Sequence, residues 1–146
     1  MKKFILLLIS VLLIFSLVGF SLVGCGGDEN VDTTVDIDLT NLSSTMVYSE
    51  VYNMMYEPEN YIGKTVKMEG TTSIFHDETT GVTYYACVIA DATACCQQGL
   101  EFVLADSYDQ SDYPELDQYI VVKGVFKTYE ENGITYCHLV NAEMSK

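Results

Sequence analysis

The sequence predicts a mainly β domain in which five strands close into a small Greek-key barrel, with one α-helix before the first strand. Two observations support this prediction. Apolar and polar residues alternate with a period of two in most segments after Pro58, whereas the segment before Pro58 has a helical period. Five short antiparallel strands must close or pack against a helix to bury their apolar faces, and a small barrel does so economically.

The charge of the chain limits its partners. The 146 residues include 21 acidic and 7 basic side chains, which gives a formal net charge of −14 at pH 7. After residue 24 the chain contains five lysines and no arginine. Because cationic side chains must neutralise phosphates, nucleic acid is excluded as a partner, and attraction to an anionic membrane surface is not expected.

The first 24 residues have the order of a secretory signal. Lys2 and Lys3 precede an apolar run that ends near Phe20, and Leu22-Val23-Gly24-Cys25 follows. This order resembles the lipobox of bacterial lipoproteins. The resemblance implies cleavage before Cys25, a lipid (diacylglycerol and palmitate) on that residue, and a mature protein tethered to the extracytoplasmic face of the cell membrane. The alternative is an uncleaved membrane helix.

Residues 25–42 are predicted to form a flexible acidic stalk with one short strand at 35–39, and residues 43–146 to form the helix and the barrel. Ser43 or Ser44 is a candidate helix cap. Pro58 should end the helix, because its ring biases the preceding residue away from helical backbone angles. The apolar stripe of this helix consists of Val47, Val51, Met54 and Met55.

The strands are predicted from alternation and turn residues. Asn132-Gly133 indicates a hairpin between the last two, because this pair accepts positive φ angles. The segments 63–70 and 120–125 resemble the first and fourth strands of OB-fold domains, in which a glycine lets a bent strand turn the barrel corner. The resemblance covers roughly residues 61–142 and gives Gly70 and Gly124 that role. The predicted strands lie at 65–72, 84–89, 100–104, 120–126 and 134–142.

Four cysteines after Cys25 are the candidate functional residues: Cys87, Cys95, Cys96 and Cys137. One hypothesis is a soft metal site for zinc or copper, formed by Cys87, Cys137 and one or both of the adjacent pair. Another is one or two disulfides, either Cys87 to Cys137 across neighbouring strands or one of these to the pair. A third is that some thiols are buried small hydrophobic groups.

Strand alternation restricts the metal hypothesis. Cys137 and His138 are consecutive residues of one predicted strand, so their side chains should point to opposite faces. His138 is therefore expected to be a packed or hydrogen-bonded residue and not a ligand.

The segment from Tyr85 to Phe102 contains Ala90-Asp91-Ala92 and Cys95-Cys96. It is similar to a segment of bacterial lipoproteins with an OB-like domain and, more distantly, to the soluble subunit of a two-component permease. The resemblance implies an exported, thiol-bearing module tied to metal handling.

The residue inventory favours binding over catalysis. Only His76 and His138 could act as a histidine base, and no glycine-rich phosphate loop precedes a helix. The local acidity argues against a thiol–disulfide enzyme, which needs a cysteine of lowered pKa near positive charge. The eleven tyrosines are spread along the chain, which favours packing at the barrel surface, with a binding platform as the alternative.

The sequence thus predicts a lipid-anchored, non-catalytic binding module with a zinc or copper site at Cys87, Cys95, Cys96 and Cys137. The alternative is a module that presents its barrel face to a membrane protein or a cell-wall polymer, with the cysteines joined in structural disulfides.

Overall fold

The computed structural model describes residues 34–145. The predicted signal segment, Cys25 and the first part of the predicted stalk lie outside the described residues. One α-helix, six strands and two short 3₁₀ turns, at Pro58–Asn60 and Gln110–Asp112, are present in this region. The main elements are β1 (Ile37–Asp38), α1 (Ser44–Tyr56), β2 (Thr65–His76), β3 (Thr83–Ala90), β4 (Gln97–Leu104), β5 (Tyr119–Glu131) and β6 (Ile134–Ser145).

The five long strands form a ring in the order β2, β3, β4, β6, β5, and β5 pairs again with β2. This closed order, with β1 added beside β2, confirms the predicted OB-like barrel with one helix before it. Four of the five pairings in the ring are antiparallel, and the pairing of β4 with β6 is parallel. The prediction of antiparallel strands throughout was wrong at this pair. A ring with an odd number of strands cannot alternate direction at every pair, so one parallel pair is required.

The barrel interior contains the hydrophobic core. Its largest members include Phe102, Phe126 and Met68, and each is at most 2% exposed. Gly70 lies where β2 approaches β3, and a Cβ atom placed there would collide with the carbonyl oxygen of Val88. A side chain at this position would therefore push the two strands apart, so their close approach requires a glycine here.

The helix packs its apolar stripe against the barrel. Val51 and Met54 are completely buried, whereas Met55 is 40% exposed at the edge of the stripe. Ser43 occupies the N-cap position, but its side chain makes no capping hydrogen bond. The helix ends at Tyr56, two residues before Pro58, as predicted. Packing of Val51 and Met54 on the barrel, and not a capping hydroxyl, therefore stabilises this helix.

The short strand predicted within residues 35–39 is present as β1, which pairs in parallel with the start of β2. Leu39 follows this strand and is 1% exposed in the core. The end of the predicted stalk is thus packed on the barrel. Among the described residues, no helix is long and apolar enough to cross a bilayer.

Candidate metal centre

The loop between β3 and β4 carries the cysteine pair. β3 ends at Ala90 and pairs there with Gln97, the first residue of β4. The N–H of Asp91 donates to the carbonyl oxygen of Cys96 at 3.0 Å and closes the loop. Within it, Ala94 has a φ of 55°, a left-handed conformation that turns the chain back towards β4. Hairpin closure therefore brings Asp91 and the two cysteines to one tip.

The Asp91 carboxylate organises this loop. Its Oδ1 atom accepts the N–H of Cys95 at 2.9 Å and that of Cys96 at 3.4 Å. Its Oδ2 atom lies 3.0 Å from the hydroxyl of Thr93 and 3.3 Å from the thiol of Cys95. Partial burial alone would raise the pKa of the Asp91 carboxyl, but these hydrogen bonds outweigh it and lower that pKa. The carboxylate is therefore ionised at neutral pH.

The two thiols are exposed and adjacent. Cys95 Sγ and Cys96 Sγ are 3.5 Å apart, and both cysteines are unbridged. The pKa of the Cys96 thiol is raised, first by the hydrogen bond with Cys95, then by burial and by the negative charge of Asp91. Cys96 is therefore a protonated thiol at neutral pH until a cation displaces its proton.

The three donor atoms have separations that suit one tetrahedral ion. The ligand atoms of Asp91, Cys95 and Cys96 all lie within 4.8 Å of one another. Two sulfurs on one tetrahedral zinc are about 3.8 Å apart, and a sulfur and an oxygen about 3.6 Å apart, given bond lengths of about 2.3 and 2.1 Å. The observed 3.5 Å between the sulfurs and 3.3 Å from Cys95 Sγ to Asp91 Oδ2 are within a few tenths of an ångström of these values.

Cys87 and Cys137 are not part of this group. In the part of the chain that the structure describes, Asp91, Cys95 and Cys96 are the one set of three acidic, cysteine or histidine residues close enough to share an ion. Cys87 is completely buried in the core, and burial, followed by the charge of Glu69, raises the pKa of its thiol to about 12. The structure thus does not bring the four predicted cysteines together, and it groups two of them, Cys95 and Cys96, with Asp91.

Cys137 faces the helix from β6. Its thiol lies 3.8 Å from the carbonyl oxygen of Met54, and burial, then the charge of Glu101, raises its pKa. His138 lies on the opposite face, with its ring 4.8 Å from that of Tyr129. The prediction that Cys137 and His138 point to opposite faces is confirmed, and His138 is a packed residue.

The predicted bridge between Cys87 and Cys137 does not fit the topology. These residues lie on β3 and β6, which are separated by β4. Cys87 pairs with Leu100, and the parallel register that matches Glu101 with His138 places Leu100 beside Cys137. Two strand spacings correspond to roughly 10 Å between Cα atoms, whereas a disulfide requires less than about 7 Å. The prediction of neighbouring strands was wrong, because the chain order does not reveal which strand closes the ring.

A bridge from Cys87 to the loop is also excluded by distance. Cys87 precedes Asp91 by four residues on an extended strand, so the loop lies roughly 13 Å away along β3. Asp91 was not among the ligands predicted from the sequence, although Ala90-Asp91-Ala92 lies just before the cysteine pair. One sequence pattern could have identified Asp91: a carboxylate directly after one strand, followed by an adjacent cysteine pair directly before the next strand.

The comparisons with known proteins add no relative. No protein-family model matches the chain, and neither curated proteins nor solved structures give a match. The fold and the loop chemistry therefore carry the functional argument.

Proposed function

We propose that this protein is a lipid-anchored binding module of the extracytoplasmic face that holds zinc at Asp91, Cys95 and Cys96. The observation that carries the proposal is the convergence of two exposed thiols and one ionised carboxylate at a single hairpin tip. Such a site uses three protein ligands and leaves the fourth position of a tetrahedral zinc to water or to a ligand from a partner.

Zinc is favoured over copper(I) by the third donor. Thiolates suit both ions, but a carboxylate oxygen is a hard ligand that zinc accepts and copper(I) does not favour. The net charge of −14 attracts cations to the surface of the protein in general. Copper(I) remains the alternative metal, and the two are separated by the titration below.

The proposed role is binding and not catalysis. His76 lies at the end of β2, where its Nδ1 atom is 2.9 Å from the hydroxyl of Thr83, and His138 packs against Tyr129. Neither histidine is close to the three donor atoms in the described structure. The proposed partners are the membrane, through the lipid on Cys25, and a membrane protein or cell-wall polymer near it.

The experiment is a metal titration of the reduced protein with matched cysteine variants. We expect one zinc per chain, and we expect Cys95→Ser and Cys96→Ser each to weaken zinc binding at least about tenfold, since a lost ligand removes one metal bond. Cys137→Ser is the control, because it makes the same atomic change outside the loop and a hydroxyl can still donate to the Met54 carbonyl. This control should bind zinc like the wild type.

Three results would contradict the proposal. One is the absence of bound zinc in the reduced protein. A second is an equal loss of affinity in the Cys137→Ser control. The third is a much stronger preference of the protein for copper(I) than for zinc, when its affinity for each metal is expressed relative to that of the same thiol competitor. Absence of metal in the reduced protein, together with fewer than four titratable thiols in protein purified without a reductant, would support the alternative module with bridged cysteines.

A further inference from the structure

A cleft on the outer face of the barrel is separate from the cysteine loop. It lies between the hairpin of β2 and β3 and the hairpin of β5 and β6, with β4 at its floor, and its volume is about 220 Å³. One wall contains Phe75 and Tyr84, the other contains Tyr129 and Tyr136, and Glu101 projects from the floor. We refer to this site as the aromatic cleft.

Each wall of the aromatic cleft is a pair of rings held by strand pairing. Phe75 and Tyr84 are register partners with ring centroids 6.2 Å apart. Tyr129 and Tyr136 are register partners on the opposite wall, stacked at 5.4 Å. Cross-strand pairing fixes these rings without any ligand, so the cleft is formed in advance.

Two carboxylates are fixed inside this aromatic surface. The Tyr129 hydroxyl donates to Glu101 Oε2 at 2.6 Å, and the Tyr84 hydroxyl donates to Glu131 Oε1 at 2.9 Å. A carboxylate that accepts a hydroxyl hydrogen bond keeps its negative charge, so these bonds position two anionic groups in the cleft.

The charges of the cleft have one sign. Burial raises the pKa of the Glu101 carboxyl, the hydrogen bond from Tyr129 lowers it, and the negative charge of Glu131 raises it further. None of the described residues that line the aromatic cleft is a lysine.

A second opening, of about 250 Å³, shares Tyr84, Glu101 and Tyr129 with the aromatic cleft and includes His138. The pKa of His138 is lowered by burial and then by the charge of Lys127. Burial and the charge of Glu131 both disfavour the ionised form of Glu101. A cation bound nearby would therefore stabilise that form and offset the repulsion between the two carboxylates.

We propose that the aromatic cleft binds the quaternary ammonium group of a small organic ligand. Aromatic rings attract a cation over their faces, and recognition of quaternary ammonium by several rings is a known use of this interaction. A quaternary ammonium has no N–H donors and therefore needs no hydrogen-bond acceptors. The four rings and the two carboxylates of the cleft can stabilise it through cation–π and charge interactions. A primary ammonium is strongly hydrated and would lose more hydration energy on entry.

This inference does not depend on the zinc proposal. The aromatic cleft shares no residue with the loop from Asp91 to Cys96, so either site can fail while the other stands.

The test uses the full chain in a non-ionic detergent, with free choline as the probe and calorimetry as the readout. We expect choline to bind at least tenfold more tightly than 3,3-dimethylbutan-1-ol, its neutral isostere, and more tightly than methylammonium. We expect Glu101→Gln to weaken choline binding at least tenfold, because it removes the charge while a side-chain oxygen can still accept from Tyr129. Glu130→Gln is the matched control, since it makes the same atomic change on the β5–β6 hairpin at a residue that does not line the cleft, and its binding should stay within twofold of the wild type.

The proposal is overturned if choline does not bind, if the neutral isostere binds equally well, or if methylammonium binds as tightly as choline. It is also overturned if Glu101→Gln binds like the wild type. Should Glu101→Gln fail to fold, Tyr136→Leu removes one ring and keeps apolar bulk. That variant must then weaken choline binding at least threefold, and an unchanged affinity would overturn the proposal.

Discussion

Asp91 has two roles in the loop between β3 and β4. Its Oδ1 atom accepts two backbone N–H groups, which holds the loop in shape. Its Oδ2 atom faces the thiol of Cys95, which places a proposed ligand oxygen beside a proposed ligand sulfur. Because one oxygen satisfies the backbone, the other remains free to exchange a thiol hydrogen bond for a metal bond. The loop therefore needs little rearrangement to bind an ion.

The first prediction concerns the effect of pH on zinc affinity. The Asp91 carboxyl, with its lowered pKa, is already ionised near pH 6, and the Cys96 thiol, with its raised pKa, is still protonated near pH 8. Zinc must displace thiol protons, so affinity should rise with pH across this interval, by up to about a hundredfold per pH unit if both thiols release a proton. Competition against a chelator whose own pH dependence is known would measure this slope.

The matching control is Cys96→Ser, which removes one releasable proton and should reduce the slope to about tenfold per pH unit. An affinity that does not change between pH 6 and pH 8 would show that the thiols are not ligands.

The sequence determines part of this site and leaves part of it open. Period-two alternation correctly placed Cys137 and His138 on opposite faces, because that inference needs only one strand. It could not show that Cys87 faces the core beside Gly70, since this depends on which strands become neighbours. The proposed ligand Asp91 was missed because a single carboxylate after a strand is common, and only the closed hairpin brings it to the cysteines.

At the level of elements, the stability of helix α1 depends on one apolar stripe. The buried part of that stripe is Val51 and Met54, and the hydroxyl of Ser43 adds no cap. An isolated helix of 13 residues is marginal in water, so contact with the barrel supplies most of its stability.

The second prediction compares two neighbouring methionines of that helix. Met54→Ala should lower the free energy of unfolding by about 2 to 5 kcal/mol, because it leaves a cavity in a completely buried position. Met55→Ala is the matched control, since Met55 is 40% exposed, and it should change this free energy by less than about 1 kcal/mol. Urea unfolding followed by far-UV circular dichroism would measure both values. Equal losses for the two variants would contradict the docking of α1.

The alternation of apolar and polar residues predicts the strands only where one of their faces is buried. The predicted strand at 65–72 extends in the structure to His76, and the last strand extends to Ser145. Residues such as Ser73 and Phe75 at the end of β2 are exposed, because the hairpin there projects beyond the barrel. A strand without a buried face has no apolar alternation, so its extent could not be predicted from the sequence. The same projecting hairpins form the walls of the aromatic cleft.

At the level of the whole molecule, ring closure decides which residues meet. β4 lies between β3 and β6, which separates Cys87 from Cys137, and the parallel pair required by an odd ring joins β4 to β6. The cysteine loop and the aromatic cleft are built from different residues on this one scaffold. The two proposed binding sites thus lie on separate residues of one barrel.

The third prediction concerns the anchor. If Cys25 carries lipid, Cys25→Ala should prevent lipid attachment and release the cleaved protein from the membrane, because the lipid chains supply the membrane affinity. Membrane fractionation together with mass spectrometry would measure this. The wild type should be found in the membrane fraction with a lipid-modified Cys25 at its N-terminus. A Cys25→Ala protein that lacks residues 1–24 and still remains in the membrane fraction would contradict the proposed anchor.

The central claim is that Asp91, Cys95 and Cys96 together bind zinc. X-ray absorption at the zinc edge of the loaded, reduced protein tests it most directly, because it reports the identity and distance of the bound atoms. We predict two sulfur neighbours at about 2.3 Å and oxygen neighbours at about 2.0 to 2.2 Å. A zinc shell without sulfur, or a shell of four sulfurs, would contradict this account.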